Sequence, residues 1–198
     1  MSAGRPRDRR VTDALQQAVF DELADTGFGG LTMDAVARRA GVGKSALYRR
    51  WPSKVDMTAD LMRTLSVSTD PAPDTGSLAG DVAALLAEVT AWLTDPRVRR
   101  VYPDLLAQAQ RHPVLADALM DYVGRPRRAR GHAVLDRAAQ RGEVAADADQ
   151  ELILDATAAL VFWRLIALGR PVTEAHLHRV AAAICAMARG TGGGGNFG

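Results

Sequence analysis

Thr32-Met-Asp-Ala-Val-Ala-Arg-Arg-Ala-Gly41-Val-Gly-Lys44-Ser-Ala-Leu-Tyr-Arg-Arg-Trp51-Pro-Ser-Lys54 is the stretch that decides the fold class of this chain. Its apolar positions Val36, Ala37, Ala40, Val42 and Leu47 predict two short helices joined by a tight turn at Gly41. Thr32 is placed to cap the first helix, its hydroxyl accepting from an orphan backbone N–H. Gly41 falls where a helix must stop and reverse, and glycine takes the left-handed conformation there without steric cost. The second helix is expected over residues 43–51. At about 100° per residue, Leu47 and Trp51 share one face, while Lys44, Ser45, Tyr48 and Arg49 share another. That second face is short and cationic, donates hydrogen bonds and carries one aromatic ring. It suits insertion into a DNA groove.

Leu31-Thr32-Met33, then Ala40-Gly41-Val42, then Leu47-Tyr48, and Lys54 opening the next helix resemble the DNA-binding domain of the tetracycline-repressor (TetR/AcrR) family. The exit Leu-Tyr-x-x-Trp-Pro-Ser-Lys separates this stretch from a generic helix-turn-helix. The rest of the chain matches the family in length and helical character. The resemblance implies groove-facing positions at Met33 and at Lys44, Ser45 and Ala46, with Thr32 joining the DNA-binding set. It implies phosphate contacts from Tyr48 and Lys54, and a base or backbone contact from Arg49. Arg50 is left unassigned, and Arg38 and Arg39 are read as solvated. For the whole chain it implies an all-α fold, an N-terminal three-helix helix-turn-helix domain joined to a larger C-terminal helical ligand-binding and dimerisation domain. The partners it implies are a double-stranded DNA operator, a small-molecule effector and a second copy of the chain.

Charge distribution points the same way. Residues 1–55 hold ten Lys and Arg against six Asp and Glu, and residues 56–198 hold fifteen against seventeen. Both lysines, Lys44 and Lys54, fall in the first segment, as a basic module with a near-neutral body behind it requires. No run of 18 uncharged apolar residues exists, and the basic start lacks an apolar stretch, so neither a membrane span nor a secretory signal is expected. The single cysteine, Cys185, has no partner for an internal disulfide, and a cytoplasmic location follows as the default.

Around the motif, Val11, Leu15, Val19 and Leu23 predict a helix ending at Gly27, with Phe28 and Leu31 closing a small core. Lys54 to about Val67 is the next helix, capped by Ser53 with Asp56 in a box-like position, its Met57, Leu61 and Leu65 tying head to body. Ser68 to Ser77 is a linker. Helical periods then recur from Leu78 to Leu93, from Val98 to Ala109 and from Val114 to Gly142, the last with a kink or break expected near Pro126. Asp147 or Asp149 caps a nearly all-apolar helix over Leu152–Leu168, and Thr173 caps a final one reaching Ala188. The domains so defined are a DNA-binding head over 1–55, a regulatory and dimerisation body over 56–190, and a disordered glycine-rich tail over 191–198. Arg5, Arg7, Arg9 and Arg10 form a solvated arm that adds phosphate or minor-groove contacts on DNA.

In the body, Trp92, Tyr102, Leu106, Tyr122, Phe162 and Trp163 are the candidate lining of a largely apolar pocket. Leu160, Leu168, Leu177, Val180 and Ile184 are the candidate dimer interface. His112, His132, His176 and His178 lack ligand spacing, and no catalytic constellation or phosphate-cradling loop is present, so no metal, cofactor or enzymatic role is assigned. The reading is a ligand-responsive transcriptional regulator, a repressor released from its operator by a small, largely apolar effector. The alternative is a non-specific or architectural DNA-binding protein.

Overall fold

The computed structural model describes residues 6–68 and 70–190, with side chains from Thr12 onward. Every regular element among them is helical: α1 (Pro6–Gly30), α2 (Met33–Ala40), α3 (Lys44–Arg50), α4 (Lys54–Thr64), α5 (Leu78–Thr94), α6 (Pro96–Ala109), α7 (Pro113–Leu119), α8 (Arg125–Gln140), α9 (Gln150–Phe162) and α10 (Glu174–Ala188). Single π turns at Met120–Gly124 and Trp163–Ala167 extend α7 and α9. The side chains of the expected arginine arm and the tail 191–198 lie outside the described residues. α1 begins at Pro6, ahead of the apolar period, since proline needs no hydrogen bond in a first helical turn. It is interrupted where the sequence places its end, at Gly27, whose φ of 66° and ψ of 173° are not helical. The break expected near Pro126 takes the form of the π turn just before α8. Proline withholds an N–H from the preceding turn, and a π turn absorbs the mismatch.

The helices pack as two compact units. The first holds α1 to α4 together with α6, α7 and the π turn that follows, so it takes in more than the three helices of the expected DNA-binding head. α4 buries Met57, Leu61 and Met62 in this unit, where it packs on α1 and α7. α6 is fastened to α1 by polar contacts. An Asp104 carboxylate oxygen accepts from the Phe28 N–H at 2.6 Å, Arg100 pairs with Asp25 at 2.7 Å, and the Arg97 guanidinium lies 4.6 Å from the Phe20 ring centre. These partners are 70 to 80 residues apart in sequence, and no periodicity announces them.

The second unit holds α5, α8, α9 and α10, with Leu86, Leu93, Leu135, Ile153 and Ile184 fully buried. Its start is clamped by a buried carboxylate. Asp81, in the first turn of α5, accepts from the Thr75 N–H at 2.6 Å and the Thr75 hydroxyl at 2.8 Å, and Arg141 donates to it at 3.3 Å. Glu143 accepts from the Leu78 N–H at 2.7 Å and from Arg141 at 2.5 Å. Burial is the largest single influence on Asp81 and opposes its charge, yet Thr75 and Arg141 together hold its carboxyl below the usual range. Arg141 first, then the Leu78 N–H, hold Glu143 low as well. Depressed carboxylate pKa values stabilise the fold at neutral pH, and that contribution is lost as pH falls through them. Asp81→Asn is therefore expected to flatten the acid side of a melting-temperature profile taken from pH 7 downward, and Asp81→Ala to cost about 1–3 kcal/mol by orphaning buried donors.

Candidate nucleic-acid interface

The α2–α3 pair is built as its residues dictate. The Thr32 hydroxyl accepts from the Ala35 N–H at 3.2 Å, capping α2. Gly41 closes it at φ 66°, its N–H reaching the Arg38 carbonyl at 3.2 Å, while the Val42 N–H returns to the Ala37 carbonyl at 3.0 Å. α3 then presents two unlike faces. Leu47 is fully buried and Trp51, at the C-cap, nearly so, with the Trp51 indole N–H donating to Asp60 at 3.2 Å. Lys44, Ser45, Tyr48 and Arg49 are exposed, Tyr48 to 51%, and Ala46 is half-buried between them. Lys44 forms an ion pair with Asp34 in the first turn of α2.

Two residues expected at DNA make contacts within the protein. Met33, expected at the groove, is only 7% exposed because it shares an i, i+3, i+4 face with Val36 and Ala37 and packs into the core of the head. The Lys54 ammonium, expected on a phosphate, donates to the Phe28 carbonyl at 2.9 Å and sits 4.6 Å from the Phe28 ring centre, closing the turn after Gly27. Arg39, read as solvated, joins α2 to α1 through Glu22 at 2.9 Å and Asp25 at 2.8 Å. Arg50, left open by the sequence, donates to Thr12 at 2.9 Å and stacks 4.8 Å from the Trp51 ring centre. Of the residues expected at DNA, Thr32, Lys44, Ser45, Tyr48 and Arg49 are exposed.

The second unit contains a cavity of about 280 Å³ between α5 and α8, bounded also by Val67 and Ser68. Leu85, Val89 and Trp92 supply apolar wall, and Arg127 lies 4.8 Å from the Trp92 ring centre. Arg130 pairs with Glu88 through both carboxylate oxygens, at 2.6 and 2.7 Å, and also donates to the Pro71 carbonyl at 3.0 Å. Of the expected pocket residues, Trp92 lines this cavity. Tyr102, Leu106 and Tyr122 fall on the α6–α7 segment of the first unit, and Phe162 is half-buried on α9 away from these walls. Trp163 is 62% exposed and is not among the residues lining this cavity. Aromatic spacing along helices could not separate these cases, because the α6–α7 insertion changes which helices are neighbours.

Residues 17–61 match the model of the bacterial regulatory proteins of the tetR family, and residues 72–184 match the tetracyclin repressor-like C-terminal domain. The chain belongs to the tetracycline-repressor family of transcriptional regulators. Curated relatives of this TetR-family chain include the uncharacterised HTH-type transcriptional regulator YdeS of Bacillus subtilis (strain 168), 32% identical over 176 residues, which covers 88% of this chain and 87% of YdeS. The DNA-binding transcriptional repressor TetR of Mycobacteroides abscessus is 31% identical over 170 residues, covering 84% and 87%. Among solved structures, the flavonoid-responsive regulator FrrA superposes with a TM-score of 0.69 at 22% identity over 88% of this chain and 93% of its own, a likeness of fold. The TetR-family regulator SCO0332 gives 0.60 at 28% identity over 88% and 96%. Proteins of the TetR family are DNA-binding regulators, not enzymes, and this chain is one of them.

The C-terminal helices of this TetR-family regulator divide their apolar residues between inside and outside. Val180 and Ile184, expected at a dimer interface, are buried within the protomer, where α10 packs on α5 and α9. Leu177 is half-buried. Leu160 and Leu168 are exposed to 42% and 47%, and Leu152 and Trp163 to 55% and 62%. The charges of α9 and its π turn are engaged, Glu151 and Asp155 with Arg128, and Arg164 with the Pro171 carbonyl at 2.8 Å.

Proposed function

We propose that this regulator is a homodimeric repressor that leaves its operator when a small, largely apolar molecule occupies the α5–α8 cavity. The observation that carries the reading is the asymmetry of α3: Leu47 and Trp51 anchor one face in the core, and Lys44, Ser45, Tyr48 and Arg49 stand in solvent on the other. Donors and a cation at the start of such a helix suit base edges, and Tyr48, Arg49 and Thr32 suit phosphates. Two heads meeting successive major grooves sit about 34–36 Å apart, or further if the half-sites are spread. The repressor role is supported by the 31% identical relative named as one.

Effector coupling follows from where the cavity residues lie along the chain. The chain passes between its two units after Ser66, after Asp95 and after Gly124. Val67 and Ser68, Trp92, and Arg127 all line the cavity and lie within three residues of these crossings. An occupant therefore bears on every covalent connection to the unit that holds α3. It shifts DNA binding only by the difference in its affinity for the two states of the protein.

Lys44→Ala and Tyr48→Ala are each expected to weaken operator binding by about 1–3 kcal/mol while leaving thermal stability unchanged. Titrations at fixed salt check this, and unchanged affinity in both variants would remove α3 from the interface. Affinity should also fall steeply with salt, as neutralisation of several phosphates requires.

A further inference from the structure

We infer that Asp34, paired with Lys44, reads the major-groove edge of a single G·C base pair in each half-site. The inference rests on the DNA-binding reading of α3 and adds a residue from α2 to it. Lys44 is the first residue of α3, the end of a recognition helix whose side chains reach base edges. Its ammonium is held by the Asp34 carboxylate, and both side chains are more than half exposed, at 63% and 51%. Whatever surface Lys44 meets, Asp34 meets as well.

A carboxylate has few hospitable partners on DNA. Phosphates repel it, and the minor groove offers it little beyond the guanine amino group. In the major groove its partner is an exocyclic amine, and cytosine N4 is the one that carboxylates most suit. The lysine beside it requires acceptors, and guanine O6 and N7 on the same base pair supply them. Donor and acceptor thus stand side by side on the protein as acceptor and donor do on a G·C edge. The pairing also fixes a four-carbon side chain that is otherwise free to turn to a phosphate, where it would carry no sequence information. Asp34 consequently lowers affinity for DNA in general while raising discrimination at one position.

The test is selection of bound sites from random duplex DNA, followed by competition titrations with single base-pair changes, for the wild type, Asp34→Ala and Asp34→Asn. Expected for the wild type is one G·C pair per half-site whose replacement by A·T weakens binding about tenfold. Asp34→Ala should lose the preference at that position alone and bind random duplex more tightly than wild type. Asp34→Asn should turn the same position toward A·T, because an amide pairs with adenine N6 and N7. A role confined to holding α2 together would move neither base identity. If both variants select the wild-type site at every position, or lose preference evenly across it, the assignment is overturned while the DNA-binding reading stands. If the wild type selects no site at all, both fall. Circular dichroism melts of each variant confirm that folded proteins are being compared.

Discussion

Replacing Leu160 and Trp163 together by glutamate is expected to leave a folded monomer whose operator affinity is about 10²–10⁴-fold below wild type. Leu152, Leu160 and Trp163 follow one another at i, i+8 and i+11, which a helical period places along a single stripe of α9 and its π turn. All three are exposed, Trp163 to 62%, and Ala156 and Ala159 lie between them. Small residues flanked by large apolar ones let a second helix approach closely and give it something to bury against. Fully burying such side chains contributes about 1.5–3 kcal/mol each, so a symmetric pair of stripes is a substantial interface. Two carboxylates per protomer, facing two more across the symmetry axis, reverse that balance. Affinity then falls because one head binds alone, and the second contact is no longer intramolecular. Sedimentation at micromolar concentration and an operator titration read the two effects separately. A dimer that survives the double substitution would place the interface elsewhere. Ile184→Ala is the control, since Ile184 is fully buried and its truncation should lower the melting temperature without dissociating the dimer.

The contrast between Ile184 and Leu160 also marks where sequence reasoning stopped. Both belong to apolar helical faces, and a period cannot say whether a face turns to its own protomer or to another. Val180 and Ile184, expected at an interface, are buried within the protomer, where α10 packs on α5 and α9. Met33, expected at DNA from the family resemblance, shares an i, i+3, i+4 face with Val36 and Ala37 and is buried with them. Local chemistry was far more legible. The caps at Thr32, Ser53, Asp149 and Thr173 and the reversals at Gly27 and Gly41 all depend on atoms a few residues apart. Contacts such as Asp104 to Phe28 join residues 76 apart, and these decided that α6 and α7 pack with the head. That long-range packing also took Tyr102, Leu106 and Tyr122 out of the unit that holds the cavity. The outward-facing residues of α3 were legible because the burial of Leu47 and Trp51 fixes which face turns to solvent.

That same burial makes Leu47 the most sensitive side chain of the recognition helix. α3 is seven residues long, far too short to persist by its own hydrogen bonds. Gly43 at its N-cap offers no side-chain bond. What holds it is Leu47, with no exposed surface, Trp51 at 4%, and the indole N–H donating to Asp60. Leu47→Ala removes three carbons from a site walled by rigid neighbours and is expected to cost about 2–5 kcal/mol in urea unfolding. Against a total stability of about 5–15 kcal/mol this is a large fraction. The loss should be concentrated in the head: amide exchange in α2 and α3 should accelerate by orders of magnitude while α5 and α10 keep their protection. Operator affinity should fall with it, because a helix that frays presents Lys44 and Tyr48 in the required geometry only part of the time, and apparent affinity is reduced by that fraction. Ser45→Ala, on the exposed face of the same turn, should leave unfolding within about 0.5 kcal/mol of wild type. Equal destabilisation by the two substitutions would mean that Leu47 is not the anchor of α3.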